Sequence, residues 1–94
     1  CAGCDVLLHE VYSDSGFTTL PALRKVYHAR AHTPATQVGD IATQAKPKLL
    51  ILTHQLFFGS SDEKLISEVR SRYNGPVVSA KDLQVFPVGS ARLP

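Results

Sequence analysis

The chain has 94 residues, 44% hydrophobic and 19% charged, which suffices for one small core and excludes a multidomain assembly. Ten basic and eight acidic residues give a formal charge of +2 and are scattered, with no run of Lys or Arg to track a phosphate backbone. The longest aliphatic run, Leu49-Leu50-Ile51-Leu52, is far shorter than the ~20 apolar residues of a membrane-spanning helix, which predicts no membrane partner.

Cys1 and Cys4 form a single C-x-x-C without the second pair of a closed tetrahedral zinc site, and read as small residues leading into a strand. Because the sequence opens on Cys1 rather than Met, an upstream part is expected to be missing, and the compartment stays unread. Asp5 to Glu10 is a short apolar run ending in polar residues, which predicts a strand buried on both faces. Val11 to Thr19 reads as loop. Leu20 to Ala31 carries Leu20, Leu23, Val26 and Tyr27 at helical spacing, with Pro21 tolerated in a first turn.

Thr33 is a candidate N-cap with Pro34 at the first helical position, followed by an amphipathic face of Ala35, Val38, Ile41, Ala42 and Ala45 that Lys46-Pro47 ends. Lys48 to Thr53 is the clearest strand, and His54 follows it directly. Gln55 to Ser61 reads as a loop exposing Phe57 and Phe58. Ser60 with Glu63 predicts a capping box, then a helix with Leu65, Ile66, Val69 and Tyr73 on one face and a stop at Asn74-Gly75-Pro76. Val77 to Ser79 and Leu83 to Phe86 are short strand candidates, and the tail from Pro87 is expected to be loose.

The order β, α, α, β, α, β, β predicts an α/β fold with a mixed sheet and its helices on one face. Strands apolar throughout need cover on both faces, so the other face requires a second layer. Residues 1–94 are therefore expected to be a single partial domain.

Three polar positions fall where α/β sheets place their chemistry, beyond strand or helix ends: Glu10, His32 and His54. His54 could present one ring nitrogen to a metal, His32 could give a proton to a leaving group, and Glu10 could orient such a histidine. Each also fits an ordinary structural role: a satisfied histidine, a loop histidine and a solvated carboxylate.

Together, His9-Glu10-Val11-Tyr12, His32-Thr33-Pro34-Ala35 and Leu50-Ile51-Leu52-Thr53-His54 resemble the H-E-A-T loop, the H-S-T loop and the last metal-ligand motif of the ribonuclease Z-like branch of the metallo-β-lactamase superfamily. The resemblance runs from about Asp5 to Phe86. It implies the C-terminal half of a four-layer αββα sandwich. It also implies a dinuclear site, with two zinc ions in the complete protein, that hydrolyses phosphodiester or related ester bonds. By that resemblance His54 is a metal ligand, His32 helps the leaving oxygen depart, Glu10 holds His32, His9 is structural and His28 has no role. Val11-Tyr12, Pro34 and a long stretch between Glu10 and His32 depart from the tRNA-processing pattern and point to phosphodiesterase- or arylsulfatase-like relatives.

The family's upstream ligand cluster has no counterpart here, and four histidines without a carboxylate at ligand spacing do not rebuild a two-metal cage. The chain alone is expected to be inert, its partner being the missing N-terminal half. The competing reading is a non-catalytic α/β interaction module that covers its bare sheet face with a second copy or another protein, Phe57 and Phe58 serving as anchors. Arg24, Lys25 and Arg30 form the only local basic cluster, which makes nucleic-acid binding the weakest reading.

Overall fold

The computed structural model describes residues 2–81 and 84–86. In chain order it contains β1 (Val6–Tyr12), α1 (Asp14–Phe17), α2 (Ala22–Ala31), α3 (Ala35–Ala45), β2 (Leu49–Leu56), α4 (Asp62–Arg70) and β3 (Val77–Ser79). The three described strands are all parallel, in the order β1-β2-β3. Successive crossovers step the same way along the sheet, so right-handed connections set α3 and α4 side by side on one face. No described helix is long and apolar enough to cross a membrane.

The core lies between that face and the two helices. Val11, Leu50, Leu52 and Val77 of the sheet meet Ala35, Val38 and Ala42 of α3 and Leu65 and Val69 of α4, with Tyr73 closing one end. Small residues let the helices approach closely. A Cβ on Gly39 would stand 2.6 Å from the Val69 carbonyl and 2.8 Å from Arg72 Cβ. On the opposite face the alternation brings up Leu8, which pairs with Ile51 and is 61% exposed, although Leu49 and Ile51 are themselves buried.

Several element ends differ from the sequence reading. The first strand runs two residues further, through buried Val11 and Tyr12, and the expected loop after it contains the short helix α1. Pro34, not Thr33, occupies the N-cap of α3 and offers no side-chain cap. Asp14 caps the helix instead, its carboxylate accepting from the Thr36 N–H at 2.9 Å and the Thr36 hydroxyl at 2.8 Å. Ser61, one residue later than expected, caps α4 by accepting from the Lys64 N–H. α2 forms within the span that its spacing predicts, but Leu23 is 86% exposed, Val26 and Tyr27 are also exposed, and the helix buries no residue.

Phe57 and Phe58 are half-buried rather than exposed. Of the last strand candidate, Gln84 to Phe86 form no strand, and Leu83 lies outside the described residues. So do Cys1 of the C-x-x-C pair and the tail from Pro87.

The turn after β1 is anchored from two sides. Glu68 of α4 is buried and accepts from the Ser13 hydroxyl at 3.0 Å and from the backbone N–H groups of Asp14 at 3.0 Å and Ser15 at 3.1 Å. A carboxylate facing the first free amides of a helix is well satisfied there. Through Asp14 and Thr36 the same turn grips α3. Gly39→Ala should test the helix packing directly: overfilling this contact is expected to cost about 1–3 kcal/mol, read as a lower urea midpoint with an unchanged slope.

Candidate functional site

Glu10, His32 and His54 converge at the C-terminal end of β1 and β2. Thr33 precedes Pro34, which biases it to extended backbone. Tyr12 pairs with Pro34 in an isolated parallel bridge, and the Tyr12 N–H donates to the Thr33 carbonyl at 2.9 Å. That pairing lays His32 and Thr33 beside the end of β1. The Glu10 carboxylate then uses both oxygens: Oε2 is 3.2 Å from His32 Nδ1, and Oε1 accepts from the Thr33 hydroxyl at 2.8 Å. Since a carboxylate accepts, Nδ1 of His32 carries the proton and Nε2 is the nitrogen left for other work.

His54 is placed by an irregularity in the sheet. Glu10 pairs with Thr53 and Val11 with Gln55, so His54 is the extra residue of a bulge within β2 rather than the residue after its end. Its φ of 48° is left-handed, a conformation costing roughly 1–2 kcal/mol for a residue with a Cβ. Bulges re-aim side chains in this way, frequently beside active sites. Gln55, the next residue, holds the distortion by directing its amide at Ser79 Oγ and the Ala80 carbonyl, both at 2.8 Å. The His54 ring lies 5.4 Å from the His32 ring, centroid to centroid. His9 points its Nδ1 at the Glu10 carbonyl at 2.7 Å and takes no part in this cluster.

The fold and a part of the sequence have known counterparts. The crystal structure of the metallo-β-lactamase fold protein YhfI from Bacillus subtilis superimposes with a TM-score of 0.62 at 23% identity, covering 85% of this chain and 29% of that one. The chain carries part of a metallo-β-lactamase fold. It is also 38% identical to a ribonuclease Z of Haloarcula marismortui over 55 residues, 57% of this chain and 18% of that protein. No family model matches. The chain thus spans less than a third of either counterpart.

Within this part of the metallo-β-lactamase fold, no three His, Cys, Asp or Glu side chains among the described residues come together to hold a metal ion. His54 and His32 supply imidazoles from two elements, and Glu10 is already engaged by His32 and Thr33. Such a set can furnish a ligand to a shared centre and not a cage of its own.

Two members of the cluster escaped the sequence reading. The Thr33 hydroxyl serves Glu10 instead of capping a helix. His28 of α2 lies one helical turn before His32, its ring 5.6 Å from the His32 ring and 4.8 Å from that of Phe58. The i, i+4 spacing of His28 and His32 was the available signal. Burial holds His28 below its usual value of 6.5, with the positive charges of Arg24 and His32 acting in the same direction.

Because the folded His28 binds its proton less readily than the unfolded one, its effect on stability is absent above pH 6.5 and destabilising below it. The loss develops as pH falls from the unfolded value through the lower folded one. Urea titrations at stepped pH should show that slope in the wild type and less of it in His28→Phe.

Proposed function

We propose that this chain supplies one side of the active site of a metal-dependent hydrolase acting on phosphodiester or related ester bonds. The single observation that carries the reading is the Glu10–His32 hydrogen bond with the His54 ring 5.4 Å from His32, at the strand ends of a metallo-β-lactamase fold. In this reading His32, as the imidazolium, gives its Nε2 proton to the departing oxygen and is left as the Nδ1–H tautomer that Glu10 holds. His54 is one ligand of a metal centre completed by residues outside these 94, as the N-terminal half of the fold would provide. Two zinc ions are the expected occupants, and they would supply the Lewis acidity and activated water of such hydrolysis. The departures at Val11-Tyr12 and Pro34 favour a small ester or phosphodiester substrate over tRNA.

A second reading is kept by Leu8, exposed on the sheet face opposite the helices: a non-catalytic module that covers this face with another copy. Sedimentation of the 94-residue chain separates the two, since a stable dimer dispersed by Leu8→Glu supports the module.

The hydrolase reading is tested with bis(p-nitrophenyl) phosphate, on this chain and on a longer product that restores the rest of the fold. The longer product should turn over, the short chain should not, and His32→Ala should lower kcat by about 10²–10⁴-fold. A longer product that is folded and loaded with metal yet hydrolyses nothing would sink this reading.

A further inference from the structure

The helix α2 places its residues against the usual logic of burial. Leu23, Val26 and Tyr27 face solvent, while His28 turns inward and is half-buried against the site. A helix docking only for stability would present its Leu and Val to the protein and its His to water. Conflicts of this kind between local pattern and fold are expected where a residue serves function. The inward ring stacks on His32, with centroids 5.6 Å apart and planes inclined by 29°. Phe58 supports it from the other segment, 4.8 Å away between ring centroids, and the Tyr27 ring meets it near-perpendicular with centroids 5.0 Å apart. Its Nδ1 is buried and has no hydrogen-bond partner among the described residues. A polar atom left so is uncommon in a folded protein and asks for a reason.

We infer that His28 is a positioning residue for His32, its ring forming the wall that keeps the His32 imidazole turned toward Glu10. The inference rests on the reading of His32 as proton donor. Glu10 fixes His32 by one nitrogen only, 3.2 Å away, and a single bond leaves the ring free to tilt about it. The flanking ring of His28 restricts that tilt and keeps Nε2 aimed into the cluster. Phe58 has a left-handed backbone, φ 50°, and its ring also approaches Tyr12 at 5.9 Å, so the support continues into β1. Burial and the neighbouring charges favour a neutral His28, so the wall adds no cation of its own beside His32.

The test compares His28→Leu, which keeps apolar bulk without a ring, and His28→Phe, which keeps the ring. Long-range proton–nitrogen NMR on the 94-residue chain at mildly alkaline pH reads the state of the His32 ring. Wild type and His28→Phe should each show one Nδ1–H tautomer with an observable Nδ1 proton. His28→Leu, still folded by circular dichroism, should show mixed tautomers and lose that proton signal. In the longer product His28→Leu should lower kcat about tenfold with KM unchanged, and His28→Phe should recover most of it, as misplacing a reacting group predicts. A His32 signature unchanged in folded His28→Leu overturns the inference. If the wild-type longer product has no esterase activity, the hydrolase reading fails, and the NMR comparison still decides for or against His28 as the wall of His32.

Discussion

In the parallel pairing of β1 with β2, Val6 to Glu10 match Leu49 to Thr53 one for one, and the pairing resumes at Val11 with Gln55. One residue of β2 has no counterpart, and it is His54. A strand that is laddered to its neighbour on both sides of an extra residue cannot absorb it without displacing its side chain, so the bulge sets where the imidazole stands. Gln55 secures the distortion from the β3 side. The pairing of Tyr12 with Pro34 and Thr33 places His32 next to the same bulge. The convergence of the two histidines is therefore a consequence of backbone register rather than of flexible side chains.

The turn from Ser13 to Phe17 makes that register stiff. Buried Glu68 gathers the Ser13 hydroxyl and two backbone amides, while Asp14 gathers the first turn of α3 through Thr36. Hydrogen bonds to a charged group contribute roughly 1.5–3 kcal/mol each, so the clamp adds to the apolar core in holding β1, α3 and α4 together. Close packing adds to it at Gly16, where a Cβ would collide with the Phe57 carbonyl. Glu10 lies just before the clamped turn, and His32 just before the first turn of α3 that Asp14 holds.

What the sequence disclosed follows from the kind of signal each element sends. The aliphatic run at Leu49 to Leu52 and the spacing of Ala35, Val38 and Ala42 announce buried surfaces, and those elements lie where the pattern puts them. Glu10, His32 and His54 were visible through motif resemblance and through their places after apolar runs, and the structure brings all three together. The bulge left no trace, because one extra residue does not disturb a run already apolar on both faces. The cap of α3 was misassigned because its acceptor, Asp14, is distant in sequence. The helix α2 forms where the spacing predicts it, but helical spacing of Leu23, Val26 and Tyr27 says that they share a face and not which way the face points. The role of Thr33 was hidden behind its plausibility as a cap.

The proposed site stands or falls on whether His54 is a metal ligand. The direct measurement is a crystal structure of the longer product grown with zinc. The expected result is an imidazole nitrogen of His54 within about 2.0–2.1 Å of a zinc ion, with the Glu10–His32 bond intact beside it. Zinc bound elsewhere in the strand-end cluster with His54 turned away, or a cluster that stays metal-free at saturating zinc, would contradict it.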